Sequence, residues 1–305
     1  MKNIILTMLK GAAMGAADAV PGVSGGTIAL ILGVYERLIT ALSSFNGAVI
    51  KKLFRGDIIG VWKAMDGTFL LQLFSGLIIS LVSLLQLVRW LMTHQPILLW
   101  AFFLGLVATS VWYLARQFQW NGQSYVMFVI GLIATAALAF VTPTTIELTP
   151  LTAVIGGAIA ICAMILPGIS GSFMLILMGL YLPVSEALHD REVVVILSFL
   201  GGCVLGLLSF SKLLRWLLAR YHVATMSLMT GIVAGATVKL WPWQNWQALQ
   251  QAAESKSYVA NEWLTPSAFT DSTGDSNQLL AAVVVFLLGA TLIILLDRLG
   301  QQNNQ

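Results

Sequence analysis

The stretch Pro21-Gly22-Val23-Ser24-Gly25-Gly26-Thr27 decides the fold, because it occurs twice in the chain. Its second copy, Pro167-Gly168-Ile169-Ser170-Gly171-Ser172, lies 146 positions later, and matched residues continue in the same register after both copies. Proline removes a backbone donor and glycine removes the β-carbon, so each copy is expected to break an apolar segment into two short helices. In a bilayer, such a break persists only where the freed backbone faces protein, water or a ligand. The repeat therefore marks the predicted working centre of the protein.

The composition is that of a polytopic, all-helical (all-α) membrane protein. Of the 305 residues, 58% are hydrophobic and only 10% are charged, and the mean hydropathy of +0.87 lies far outside the range of soluble domains. The net charge of +3 is spread over the polar segments, which argues against a nucleic acid partner. The two cysteines, Cys162 and Cys203, lie in apolar segments without a metal-ligating partner at a suitable spacing. We therefore expect them to be packing residues and predict no metal or cofactor.

The apolar segments form two halves of one design, each a helix hairpin followed by three transmembrane helices. The predicted first repeat, residues 1–141, contains a hairpin at 4–42 and spans at 68–91, 97–115 and 124–141. The predicted second repeat, residues 151–298, contains a hairpin at 151–188 and spans at 193–218, 223–240 and 279–297. A segment without lysine or arginine separates the two halves.

Helix length favours re-entrant hairpins. As helices, residues 4–20 and 27–42 each reach about 24 Å, less than the roughly 30 Å of the hydrocarbon core. A repeat with one re-entrant hairpin and three spans crosses the membrane an odd number of times, so the second copy is expected to be inverted. A cytoplasmic N-terminus places most lysines and arginines in the cytoplasm, in agreement with the positive-inside rule. Hairpins that cross the membrane fully fit this charge pattern equally well.

Two polar segments interrupt the repeat. A basic segment at 43–67 has no counterpart of equal length in the second half. A second polar segment, 241–277, carries four tryptophans, a residue type enriched at membrane interfaces, and we expect it to rest at such an interface. These tryptophans are Trp241, Trp243, Trp246 and Trp263.

The chemistry of the two breaks favours an anionic cargo. Inverted repeats with broken helices near the midplane are typical of secondary transporters. Helices predicted at 27–42 and 172–188 would present backbone N–H groups and the positive end of the helix dipole, and serine and threonine hydroxyls add donors. Close helix packing by small residues is the alternative interpretation. The candidate phosphate-binding residues are Pro21, Gly22, Ser24, Gly25, Gly26, Thr27, Pro167, Gly168, Ser170, Gly171 and Ser172.

Asp18 lies three residues before Pro21 in an otherwise apolar helix, and the register aligns it with Met164. A carboxylate inside the membrane is a functional candidate, here as a coupling site for a proton or a sodium ion. The position fits equally well a buried acid that hydrogen-bonds to the broken backbone.

Other charged residues have simpler interpretations. Arg89 and Arg215 are repeat equivalents, each followed by tryptophan. Anchors that extend to the membrane surface explain them, and phosphate capture on entry and exit is the alternative. Glu36 and Arg37 are expected to pair with each other at the cytoplasmic end of the first hairpin. The three histidines receive no role.

The motifs resemble a bacterial membrane family. The segment Ala17-Asp18-Ala19-Val20-Pro21-Gly22-Val23-Ser24-Gly25-Gly26-Thr27, followed by Leu32-Gly33-Val34-Tyr35, is similar to that of the PopT family of polyprenyl-phosphate translocases, as is Pro167-Gly168-Ile169-Ser170-Gly171. The resemblance implies transport of undecaprenyl phosphate from the outer to the cytoplasmic leaflet of the bacterial inner membrane, for reuse in cell-envelope (peptidoglycan) synthesis. It implies no catalytic residues.

The strongest alternative is an enzyme. Membrane-embedded undecaprenyl-pyrophosphate phosphatases also combine inverted re-entrant hairpins with a Pro-Gly-x-Ser motif, but theirs continues with arginine and is paired with a Glu-rich motif. Gly25 and Gly171 occupy the arginine position here, and Asp18 is the only acid close before either motif. The pattern therefore disfavours hydrolysis of a pyrophosphate. A transporter of small anions, with or without a coupled ion, is the second alternative, because such donors bind any anion.

Overall fold

The computed structural model describes residues 2–19, 24–246 and 262–302. This part of the chain is all-helical, apart from an isolated β-bridge between Gln244 and Trp263. The predicted fold class, an all-helical membrane protein, is confirmed. In chain order the helices are α1 (Lys2–Asp18), α2 (Gly25–Ile31), α3 (Tyr35–Ser43), α4 (Gly47–Phe54), α5 (Ile58–Ala64), α6 (Gly67–His94), α7 (Pro96–Ala115), α8 (Gly122–Ala137), α9 (Pro150–Ile165), α10 (Gly171–Leu177), α11 (Tyr181–His189), α12 (Val193–Arg220), α13 (His222–Ala236), α14 (Pro266–Thr273) and α15 (Leu279–Gln302).

Five helical segments in the described part are long and apolar enough to cross a membrane, and they coincide with five of the six predicted spans. They are Gly67–His94, Pro96–Ala115, Gly122–Phe140, Val193–Arg220 and His222–Leu240. The sixth predicted span, 279–297, falls within the 24-residue helix α15, Leu279–Gln302. If each of two sharply bent helix pairs counts as one span, the number rises to seven.

The chain forms two compact units. Unit 1 comprises Met1–Leu85 and Thr144–Met226, and unit 2 comprises Gln86–Pro143 and Ser227–Gln305. Unit 1 thus holds both motif-bearing hairpins, and each unit takes in parts of both halves of the chain. The inverted arrangement of two repeats stays a prediction.

The bends within the helix pairs correct one expectation. α2 and α3 meet at 115°, and α10 and α11 meet at 107°, so the continuous helices predicted at 27–42 and 172–188 are wrong. The corners lie at Gly33 and Gly179, which are repeat equivalents with φ of +67° and +68°. Such φ angles favour glycine. At the first corner the N–H of Gly33 bonds to the Leu30 carbonyl and the next N–H to the Ala29 carbonyl, a pattern that ends helices and recurs at Gly179.

Glycines bring the long helices of unit 1 into close contact. A β-carbon on Gly11 of α1 would overlap the carbonyl oxygen of Leu73 in α6, and one on Gly157 of α9 would overlap that of Phe199 in α12. Gly11 and Gly157 are repeat equivalents, so the same small-residue contact joins the first helix of each hairpin to the long helix that follows.

Unit 2 uses the same type of contact. α7 packs against α15 through Gly105 and Gly289, and α8 packs against α13 through Gly131 and Gly231. In every case a β-carbon would meet a backbone carbonyl oxygen of the facing helix. Backbone-to-backbone approach therefore sets the spacing of these helices.

The tryptophan segment of unit 2 packs on the first turns of α7. Trp243 is buried with Ile97, Ala101, Phe269 and Ala282. Residues 247–261 of the predicted interfacial segment lie outside the described residues. The indole N–H groups of all four tryptophans donate to backbone carbonyls of the same unit, namely those of Leu264, Asn277, Pro242 and Val238.

Gly202→Ala is expected to lower the midpoint of thermal unfolding, because its β-carbon would overlap the Val154 carbonyl oxygen. Overpacking of this kind costs on the order of 1–3 kcal/mol. The neighbouring Gly201 is the matched control, since a β-carbon there meets no atom within 4 Å. Thermal unfolding of both purified variants in detergent checks the contact. Equal midpoints for Gly202→Ala and Gly201→Ala would contradict it.

Candidate functional site

In the described part of the first motif, side chains accept hydrogen bonds from the backbone at the start of α2. α1 ends at Asp18, whose carboxylate oxygen Oδ1 accepts a hydrogen bond of 2.6 Å from the N–H of Gly25, the first residue of α2. The Ser24 hydroxyl accepts from the N–H of Gly26 at 3.2 Å. A β-carbon on Gly25 would overlap the Asp18 carboxylate, so glycine is required for this approach. The candidates Pro21 and Gly22 lie outside the described residues.

The second motif is more open. Ser170 precedes α10 without a side-chain capping bond, and its hydroxyl lies 2.8 Å from the hydroxyl of Ser172. Ser172 is exposed, whereas Ser24 of the first motif is buried. Gly171 approaches the carbonyl oxygen of Ala160, which leaves no room for a side chain, and Pro167 is buried at the break. Hydroxyl donors are therefore presented by the second copy.

The two motifs meet within unit 1. The N–H of Gly168 donates a hydrogen bond of 2.8 Å to the hydroxyl of Thr27, whose side chain is only 1% exposed. Gly168 has φ +85°, a conformation that favours glycine. A second bond joins the same regions, since the buried Tyr35 hydroxyl donates to the Ile165 carbonyl at 3.0 Å. Residues about 130 to 140 positions apart are thus brought to one place.

The two copies are not chemically equal. At the 146-residue register, Thr27 corresponds to Phe173 and Asp18 to Met164. Tyr35, 2% exposed, corresponds to Tyr181, which is 45% exposed. The polar groups that tie the breaks together therefore come mainly from the first copy.

Lys10 makes a contact near the first motif that sequence reasoning did not predict, since it counted Lys10 only among the cytoplasmic charges. Lys10 belongs to α1, the helix before the first motif. Its ammonium group donates a hydrogen bond of 2.9 Å to the carbonyl of Leu32. Leu32 is the C-cap of α2, so the lysine binds at the end of that helix that carries negative partial charge. The register aligns Lys10 with Gly156, and this difference between the copies was the only available indication.

The charged residues after the first corner pair differently from the expectation. Glu36 contacts His222 at 2.9 Å, and Arg37 contacts Asp66 at 2.7 Å, so the predicted Glu36–Arg37 pair is wrong. The Arg37 guanidinium also lies 4.2 Å from the ring centre of Phe69. Successive residues of a helix point about 100° apart, so each side chain faces a different neighbouring segment.

Arg89 and Arg215 are exposed residues of α6 and α12 that belong to different units. Each is followed by an exposed tryptophan, Trp90 or Trp216. Both interpretations of these arginines, surface anchor and phosphate capture, stay predictions.

Comparison with known proteins identifies the family. A family model described as VCA0040-like, undecaprenyl phosphate translocase-like, matches residues 14–258, which include both motifs. The chain belongs to this undecaprenyl phosphate translocase-like family. The resemblance drawn from the motifs is thereby confirmed.

Two named relatives extend over most of the chain. A polyprenyl-phosphate transporter of Vibrio cholerae is 40% identical over 304 residues, covering 98% of both chains. A polyprenyl-phosphate transporter of Staphylococcus aureus is 31% identical over 259 residues, covering 78% of this chain and 86% of the relative. No solved structure matches the chain. These relatives group the chain with transporters, not with enzymes, which sets aside the phosphatase alternative.

Thr27→Val is expected to destabilise the protein by about 1–3 kcal/mol, because the Gly168 N–H loses its acceptor inside the protein. Thr27→Ser keeps the hydroxyl and is expected to lose less. Thr40→Val, at an exposed position of α3, is the control. Thermal unfolding of the three variants checks the bond, and a Thr27→Val protein as stable as Thr27→Ser would contradict it.

Proposed function

We propose that this protein transports undecaprenyl phosphate from the outer to the cytoplasmic leaflet of the bacterial inner membrane and so returns the lipid carrier to cell-envelope synthesis. The observation that carries the proposal is the 40% identity with the Vibrio cholerae polyprenyl-phosphate transporter over 98% of both chains. Similarity over nearly the whole length supports a common cargo, since both motifs fall within the matched region.

The geometry of the motifs suits the head group of such a lipid. Ser170 and Ser172 carry two hydroxyls close enough to donate to the oxygens of one phosphate group. In the first motif, the N–H groups of Gly25 and Gly26 already bond to side chains. We therefore assign direct phosphate contact to the second motif and a supporting role to the first. The apolar tail would stay in the hydrocarbon region of the membrane while the phosphate head group crosses.

Movement between the leaflets is proposed to follow alternating access, in which one predicted repeat moves against the other. The Thr27–Gly168 and Tyr35–Ile165 hydrogen bonds each join the first half to the second. Such movement would have to break or exchange both bonds. The proposed topology keeps the N-terminus in the cytoplasm, in agreement with the distribution of lysine and arginine.

Transport of a small anion is the competing function. The hydroxyls of Ser170 and Ser172 would also bind inorganic phosphate. A transport assay with undecaprenyl phosphate therefore distinguishes the two functions.

A leaflet-exchange assay in liposomes tests the cargo and the site together. The purified protein is expected to move undecaprenyl phosphate between leaflets, and Ser170→Ala/Ser172→Ala is expected to slow the exchange at least about tenfold, because two hydrogen bonds to a charged group are lost. A second double variant, Ser24→Ala/Ser170→Ala, removes one hydroxyl from each motif.

Ser198→Ala is the matched control, because its exposed hydroxyl bonds only within α12, to the Val194 carbonyl. If both double variants exchange the lipid as fast as the unaltered protein, the proposed site is wrong. Absence of exchange, with uptake of inorganic phosphate in its place, would support the small-anion transporter.

Asp18→Asn tests ion coupling. Asparagine keeps an oxygen that can accept from the Gly25 N–H but removes the charge. We expect a folded protein whose exchange rate no longer responds to a proton or sodium gradient. The measurement is exchange with and without each imposed gradient, and an unchanged response would reduce Asp18 to a cap of α2.

A further inference from the structure

The helix pair α4–α5 is an ordered structure that the repeat does not explain. It connects α3 to α6, whereas in the second half only residues 190–192 separate α11 from α12. The Asn46 side chain caps α4 by accepting from two backbone N–H groups, and the Asp57 carboxylate caps α5 by accepting from Gly60. Gly56, with φ +73°, forms the corner between the helices. The segment predicted only as polar and basic is therefore a folded helical hairpin.

This hairpin exposes large apolar side chains. Phe54 is 87% exposed, and Ile58 and Ile59 are each 70% exposed. On the long helices, exposed apolar residues face the hydrocarbon of the membrane. α4 and α5 have only eight and seven residues, far fewer than a span requires, so that explanation does not cover them.

Basic residues surround the apolar tip. Lys51, Lys52 and Arg55 are exposed beside Phe54, and Lys63 is exposed on α5. Asp57 is the single acid in the sequence between residues 47 and 64, and its carboxylate bonds to the Gly60 N–H. A surplus of positive charge next to exposed aromatic and aliphatic side chains is the pattern of a segment that lies on an anionic membrane surface.

The position of α5 places the hairpin at that surface. The Trp62 indole N–H donates a hydrogen bond of 3.0 Å to the hydroxyl of Thr68 in the first turn of α6. Because α6 is a spanning helix of 28 residues, its first turn lies near one end of a span. Trp62 therefore holds α5 close to the head-group region, at a depth where tryptophan is favoured.

We infer that α4–α5 lies in the plane of the membrane surface and binds anionic phospholipid head groups. Phe54, Ile58 and Ile59 enter the boundary between head groups and acyl chains, and the basic residues Lys51, Lys52 and Arg55 hold the lipid phosphates. The partner is the anionic lipid of the surrounding membrane. This inference is independent of the transported cargo.

Fluorophore depth in liposomes tests the insertion. The full-length protein, with Cys162 and Cys203 replaced by alanine, carries one environment-sensitive label at Phe54→Cys or Ile58→Cys. Val82→Cys on the exposed face of α6 serves as the lipid-embedded reference, and Asp190→Cys in the exposed charged loop between α11 and α12 serves as the aqueous reference. Nitroxide lipids are expected to quench the labels at 54 and 58 more strongly than the label at 190.

Two results would overturn the insertion. One is a label at 54 or 58 that a water-soluble quencher reaches as readily as the label at 190. The other is a label shielded from both quenchers in a manner that depends on protein concentration, which would indicate a second copy of the chain as the partner.

A charge variant tests the lipid specificity. Quenching of the label at 54 by nitroxide phosphatidylglycerol is expected to exceed quenching by nitroxide phosphatidylcholine by about twofold or more. The excess is expected to disappear in Lys51→Gln/Lys52→Gln/Arg55→Gln and at high salt, because both remove the electrostatic attraction. Equal quenching by the two lipids in the unaltered sequence would overturn head-group binding. Because no step requires transport, a failure here is distinguishable from a failure of the proposed function.

Discussion

The structure depends on one constraint, namely that a backbone broken inside a membrane must find hydrogen-bond partners within the protein. Each hairpin is interrupted twice, first at the motif and again at Gly33 or Gly179. At the glycine corners the backbone satisfies itself through the same pair of local hydrogen bonds. At the motifs it needs help from side chains, and Asp18, Ser24 and Thr27 provide acceptors for three N–H groups.

The two motifs differ in which of them provides these side-chain acceptors. Among the described residues, the first copy supplies the acceptors, and its Ser24 and Thr27 are buried. The second copy depends on Thr27 for the N–H of Gly168 and leaves the hydroxyls of Ser170 and Ser172 accessible. The two copies of the motif therefore differ in role within the fold, and this asymmetry is compatible with the proposed binding of a single phosphate group at the second copy.

Much of the fold follows from local features of the sequence. Five of the predicted spans coincide with helices that are long and apolar enough to cross a membrane, because an unbroken apolar run of that length favours a membrane-spanning helix. The motif breaks were predictable from proline with several glycines. The corners at Gly33 and Gly179 were missed because one glycine in an apolar run is compatible with a continuous helix, and only the tertiary fold selects the positive φ.

The contacts that bring the two motifs together could not be predicted from the local sequence. The Thr27–Gly168 and Tyr35–Ile165 bonds join residues more than 100 positions apart, and nothing in the neighbouring sequence specifies the partner. The separate partners of Glu36 and Arg37 likewise belong to distant segments, His222 and Asp66. The repeated motif predicted where the site would lie, and the hydrogen bonds of Lys10 and Thr27 are contacts that only the first copy makes possible, because glycine and phenylalanine occupy the matching positions of the second.

We propose that the junction of the two motifs holds a lipid phosphate. The most direct test of this proposal is an electron cryo-microscopy structure of the protein in lipid nanodiscs with undecaprenyl phosphate. We predict phosphate density within hydrogen-bond distance of Ser170 or Ser172, with the tail extending into the bilayer. A well-ordered lipid phosphate bound at Arg89 or Arg215, with the motif junction empty, would contradict it.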